Sequence, residues 1–183
     1  MKIENYIGLV LAAAVFAACQ SDTYYIKGEA KGFTDGTVLY LTTAADEQHV
    51  LDSIVVHDGS FSYYGTISAD EAPFCRLYPA GQENACLYFF AEPGNIYVEL
   101  STKVGRSRVS GTKVNNEWQA LNDTVTKYDH HLRQLFTTDS VNPRKLFAET
   151  EQLHTTLTRR INEAAKRNQD NALGRFISSH YSQ

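Results

Sequence analysis

The residues of this sequence best suited to chemistry are its cysteines, histidines and tyrosines, and their spacing decides what they can do. Only three cysteines occur in 183 residues, Cys19, Cys75 and Cys86, and no two form a Cys-x-x-Cys pair. That excludes a thioredoxin-type redox centre, a zinc ribbon and a disulfide-dense secreted scaffold. Cys75 and Cys86 flank Pro79-Ala80-Gly81-Gln82, and an oxidising compartment would allow a disulfide between them. A two-residue turn at Ala80-Gly81 places the two thiols opposite each other; a turn centred at Gln82-Glu83 sets Cys75 against Phe90 and leaves both free. Both readings stay open. Of six histidines, His130 and His131 are adjacent, so on a helix they diverge by about 100° and cannot chelate one ion together. His180 lacks an acidic residue at ligand spacing, His154 has only Glu151 three residues before it, and His57-Asp58 falls in a turn, so no metal site is expected. The sequence contains no G-x-S-x-G, P-loop or G-x-G-x-x-G, so no catalytic residue and no cofactor is expected either. Glu92, before Pro93-Gly94, reads as a turn residue. Arg106 and Arg108 read as ion-pair partners for an acidic surface. Tyr25, Tyr64, Tyr88 and Tyr97 fall on strand faces opposite to core residues. They form either an aromatic platform for a glycan or extended peptide, or cross-strand pairs lying under helices.

The elements that must position these residues come in two kinds. With 43% hydrophobic and 21% charged residues the chain is globular in composition. Its net charge of −4 argues against nucleic acid as a partner. Residues 19–110 hold 12 acidic and 6 basic side chains; residues 111–183 hold 8 and 10. The first part alternates as strands do. Tyr24, Ile26 and Gly28 share one face, 37–41 is apolar on both faces, and 51–56 leads into Asp58-Gly59. That dipeptide is a hairpin signal, because a type I′ turn needs φ > 0 at both central positions. Beyond it Phe61, Tyr63, Gly65 and Ile67 point inward. Segments 74–78, 86–91, 96–100 and 107–110 complete seven or eight short antiparallel strands, a β-sandwich. The second part turns to helical period: Trp118, Leu121, Val125, Tyr128, Leu132 and Leu135 form one stripe. Leu146, Leu153, Leu157 and Ile161 form another, after Asn142 as cap and Pro143 at the first position. An αα-hairpin packed on the tyrosine-bearing sheet is expected, then a short third helix bearing Leu173, Phe176 and Ile177. The fold is mainly β then α, with boundaries at 1–18, 19–110 and 111–183. The apolar stripe of the third helix invites a protein partner at the C-terminal helices.

Residues 1–18 are an export signal by pattern: a basic start, then twelve residues from Ile7 to Ala18 without a charge, too few to cross a bilayer, which takes about 20. Phe16-Ala17-Ala18-Cys19 resembles the lipobox of bacterial lipoproteins, with phenylalanine where leucine is usual. The resemblance implies acylation of Cys19, a membrane partner through the lipid anchor at about 0.8 kcal/mol per buried CH₂, and a location in the bacterial cell envelope.

Three phrases carry a further resemblance: Leu51-Asp52-Ser53-Ile54-Val55-Val56-His57-Asp58-Gly59-Ser60-Phe61-Ser62-Tyr63, Phe90-Ala91-Glu92-Pro93-Gly94-Asn95-Ile96-Tyr97-Val98 and Ser110-Gly111-Thr112-Lys113-Val114-Asn115-Asn116-Glu117-Trp118. Their order resembles the N-terminal domain of unknown function that precedes a thioredoxin-like (AhpC/TSA or TlpA type) domain in Bacteroidetes envelope lipoproteins. The resemblance implies a β-sandwich and a helical linker. The redox activity does not carry over, because no cysteine follows Gly111. The expected function is therefore a non-enzymatic envelope lipoprotein serving as a binding or interaction module. The alternatives are the accessory half of a thioredoxin-like oxidoreductase lipoprotein and a glycan-binding module.

Overall fold

The computed structural model describes residues 23–67, 72–137 and 142–181. The export signal, Cys19 and the tether to residue 22 lie outside them. Eight strands form: β1 Thr23–Glu29, β2 Val38–Thr43, β3 Val50–Val55, β4 Ser60–Thr66, β5 Phe74–Pro79, β6 Leu87–Phe90, β7 Gly94–Glu99 and β8 Arg108–Ser110. Three helices follow, α1 Lys113–Thr137, α2 Pro143–Arg167 and α3 Ala172–Tyr181. The fold is thus mainly β then α. The strands make two four-stranded sheets, ordered β4-β1-β7-β8 and β3-β2-β5-β6. One pairing departs from the antiparallel expectation: β1 and β7 run parallel. Between them the chain visits the second sheet twice, and so long a connection lets it re-enter the first sheet from the same end.

Alternation places the core. Ile26, Leu39, Leu41, Val56, Leu77 and Phe89 are buried between the sheets. Two inward positions are glycines filled by the rings directly across from them: Phe61 occupies the space beside Gly28, and Tyr24 that beside Gly65. A side chain at either glycine would occupy the same volume as its partner's ring. The Asp58-Gly59 hairpin forms as expected, with φ of 50° and 68° and reciprocal 2.9 Å hydrogen bonds between His57 and Ser60.

The helices begin where their caps dictate. Asn142 Oδ1 accepts the Arg144 N–H at 2.9 Å, with Pro143 next to it where a missing N–H costs nothing. Asn171 Oδ1 accepts from the Leu173 and Gly174 N–H groups and starts α3. Glu92 reaches across from the β6–β7 turn: its Oε1 accepts the Val114 and Asn115 N–H groups at 2.8 and 3.1 Å. It is a capping carboxylate for α1, a role its own neighbours in sequence do not reveal.

The hairpin does not pack where expected. It lies against β6, β8 and the outer face of the second sheet, where Phe74 and Phe90 meet Trp118 and Phe176 at centroid distances of 4.7 to 6.2 Å. The third helix covers its own stripe there, with Leu173 at 0% and Ile177 at 3% exposure. That stripe is therefore buried within the chain. The buried residues of α1 all lie between Val114 and Leu121. Beyond them the paired helices run on as an arm with Phe136 and Phe147 exposed near its tip.

Candidate functional site

A strand at the edge of a sheet leaves every second residue's N–H and C=O without a ladder partner. On one side of the sandwich, α1 supplies those partners. The Phe90 N–H donates to Asn115 Oδ1 and Asn115 Nδ2 donates to the Phe90 carbonyl, both at 2.8 Å, so one amide side chain replaces a missing strand. Trp118 Nε1 donates to the Tyr88 carbonyl at 2.8 Å. Across the gap, Gln119 Oε1 accepts the Val109 N–H of β8 at 2.8 Å, and Asn116 Oδ1 accepts the Gly111 N–H at 3.1 Å. Arg108 holds the next turn of α1 through a bidentate pair with Asp123, at 3.1 and 2.6 Å. That hydrogen-bonded guanidinium, helped by Gln119, keeps the Asp123 carboxyl below its usual value. Arg108 thus pairs with a helix and not with the acidic β region.

The opposite side is open. β3 and β4 leave the Asp58-Gly59 turn and diverge into different sheets, and a groove of about 670 Å³ runs beside them. The Ala30 N–H donates to the Gly59 carbonyl at 2.8 Å, which fixes the ladder phase between β1 and β4. The backbone groups of Ser62 and Tyr64 consequently point away from β1. On β3, the Asp52 carboxylate accepts the Ser53 N–H at 2.7 Å and blunts that edge.

Three of the four tyrosines of the platform stay exposed on the outer face of the first sheet, Tyr97 among them beside Arg108, Asn116 and Asp123 near the start of α1. Tyr25 and Tyr64 are direct cross-strand partners, and Tyr97 stands opposite Lys27 on the far side of β1. Their exposures are 39%, 64% and 49%. Tyr88 does not join them. It belongs to the second sheet, stacks on Phe74 at 5.5 Å and donates its hydroxyl to Glu47 at 2.8 Å. Burial, with that carboxylate beside it, pushes its hydroxyl up to about 12.

The disulfide between Cys75 and Cys86 does not form; both are free. The register pairs Cys75 with Phe89 and Arg76 with Tyr88, so Cys75 faces the core while Cys86 falls on the outer face beside Arg76. Burial pushes the Cys75 thiol up to about 12, which keeps it protonated and inert at neutral pH.

The chain belongs to the family described as Domain of unknown function (DUF4369), whose model matches residues 24–118. No curated protein matches the chain. The DUF4369 match ends at Trp118, so the β-sandwich and the first residues of α1 that seal β6 fall within one domain. Asn115 is the residue that sequence reasoning missed. Its only signal is a run of three amides, Asn115, Asn116 and Gln119, at the start of an otherwise apolar stripe. Among the described residues no group of three His, Cys, Asp or Glu could hold a metal ion, and no helix is long and apolar enough to cross a membrane. A second groove, of about 440 Å³, lies between α1 and α2 beside Leu121, Tyr128 and Leu157.

Proposed function

We propose that this DUF4369 protein is a non-enzymatic lipoprotein of the bacterial cell envelope that acts as a binding module through the uncovered side of its sandwich. The observation that supports this most is the asymmetry of the helical cover. All three helices gather on the β6/β8 side, while Tyr25, Tyr64 and Tyr97 stay exposed on a rigid sheet. Exposed aromatic side chains on a preformed surface are the usual means of gaining contact area at low entropic cost. Acylation at Cys19 would hold the module at a membrane, four residues from the start of β1. Intact mass of the protein extracted from its own envelope tests the anchor: residues 19–183 plus acyl chains are expected. A mass larger by a whole domain would favour the accessory half of a thioredoxin-like lipoprotein instead.

The exposed tyrosines favour glycan as one ligand class. Tyr64→Ala and Tyr97→Ala should each abolish retardation in affinity electrophoresis through soluble polysaccharides while leaving the melting temperature unchanged. Retardation unaffected by both changes removes that reading. The exposed Phe136 and Phe147 give the arm a surface suited to a protein partner.

A further inference from the structure

Each sheet of a sandwich has two edges, and each edge is a template for another strand unless something blocks it. In this protein two of the four are sealed and a third is blunted at one N–H. β6 and β8 are sealed by Asn115, Trp118 and Gln119 of α1, and β3 carries the Asp52 carboxylate on the Ser53 N–H. β4 is the exception. Its sequence, Ser-Phe-Ser-Tyr-Tyr-Gly-Thr, holds no charge and no proline; the Ser62 and Tyr64 backbone groups point away from β1 with no ladder partner among the described residues, and Ser62 lines the groove of about 670 Å³.

We infer that this groove binds an extended peptide strand of net positive charge, supplied by another protein and paired along β4. The shape follows from the ladder groups of β4, which can be satisfied only by an extended backbone. The charge follows from the rim. Glu29 lines the groove with Lys27 and His57; next to them Asp35 stands 3.8 Å from His57, Asp58 follows His57 in the chain and Asp52 accepts the Ser53 N–H, while Lys31 is already paired with Glu29 at 2.8 Å. A second copy of this chain fits less well, because edge-to-edge pairing would bring together two β regions that each carry 12 acidic and 6 basic residues. The inference rests on the binding-module reading but not on the anchor. Polysaccharide retention through Tyr97, which lies across β1 from the groove, remains measurable if no peptide binds.

The probes are a fluorescein-labelled decapeptide alternating lysine with valine and threonine, and its glutamate counterpart, titrated against residues 20–183 by anisotropy. The lysine peptide should saturate at least tenfold more tightly than the glutamate peptide and weaken severalfold as salt shortens the screening length from about 10 Å. Hydrogen exchange at the Ser62 and Tyr64 amides should slow in its presence, and Ser62→Pro, which removes one outward N–H, should weaken binding about tenfold. No saturation by the lysine peptide up to about 1 mM overturns the proposal, that concentration corresponding to only about −4 kcal/mol. Equal binding of the two peptides, or unchanged exchange at Ser62 and Tyr64, overturns it as well. So does a concentration-dependent dimer that protects those amides without any peptide. The exchange measurement uses the unmodified sequence and decides the matter even if Ser62→Pro fails to fold.

Discussion

On the β6/β8 side of the sandwich the outward backbone groups of Phe90, Tyr88 and Val109 meet amide and indole side chains; on the β3/β4 side those of Ser62 and Tyr64 have no ladder partner among the described residues. The two sides face the same physical problem. On the first, the unsatisfied ladder becomes the means of attachment for the helical region, since the side chains that seal the edge also fix the start of α1. On the second, the ladder is left available. Attaching α1 uses the edge groups of one side and leaves those of β4 on the other without ladder partners among the described residues.

The largest expected effect comes from unsealing β6. Asn115 is 0% exposed and its side chain makes three hydrogen bonds, to the Phe90 N–H, the Phe90 carbonyl and Thr112 Oγ1. Asn115→Leu strands the Phe90 N–H, leaves the Phe90 carbonyl with only the Glu92 N–H and puts a bulkier side chain in a filled site, at a cost of about 3 kcal/mol. In a protein of this size that lowers the melting temperature by roughly 10 °C. Urea denaturation reads the same loss, and a loss under about 1 kcal/mol would mean that water replaces the amide and the seal is not one.

The open side owes its rigidity to packing behind the edge. Gly65→Ala places a methyl group in the space held by the Tyr24 ring, and relief by displacement of that ring or of β4 costs about 2 kcal/mol. Calorimetry on this variant asks whether β4 is a fixed template. A neutral result would show that β4 yields, and a yielding strand is a poor template for a partner.

Much of this fold can be read in the sequence, because period and turn chemistry are local signals. The eight strands, the Asp58-Gly59 turn and the Asn142-Pro143 start of α2 each rest on residues close together in the chain. The seal does not. Asn115 and Phe90 are 25 residues apart, and nothing within either segment says that an amide will stand in for a strand. The same distance hides Glu92, which looks like a turn residue until the start of α1 arrives above it. The tyrosine face was legible as an alternation, but which sheet the helices would cover depended on the aromatic contacts of Phe74, Phe90, Trp118 and Phe176. The cysteines turned on register: a ladder centred on Gln82 pairs Cys75 with Phe89, and sequence alone allowed other centres.

A smaller effect sharpens the closed side by pH. Asp123 titrates below its usual 3.8 in the folded chain because of Arg108. A carboxyl lowered in this way stabilises the fold above the unfolded value and loses that contribution as pH falls through the folded one. The pair is partly exposed, so screening limits it to about 0.5–1 kcal/mol. The stability difference between the unmodified protein and Asp123→Asn should be constant from pH 7 to about pH 5 and should vanish by about pH 2. A difference that persists at pH 2 would assign the contribution to the Gln119 amide, which donates to the same carboxylate at 2.9 Å.

The smallest effect belongs to the open edge itself. Ser62 presents its N–H to the groove and makes no ladder bond with it. Proline is tolerated in a strand where the lost donor faced outward, so Ser62→Pro should change stability by less than about 0.5 kcal/mol. The same substitution in a paired strand removes a ladder bond and costs about 3 kcal/mol or more. Thermal melts of Ser62→Pro beside Tyr63→Pro make the contrast direct, since Tyr63 is in register with Ile26 and bonded to it. Near-equal losses at the two positions would mean that the edge is already occupied from within the chain, and the difference between the two sides of the sandwich would disappear.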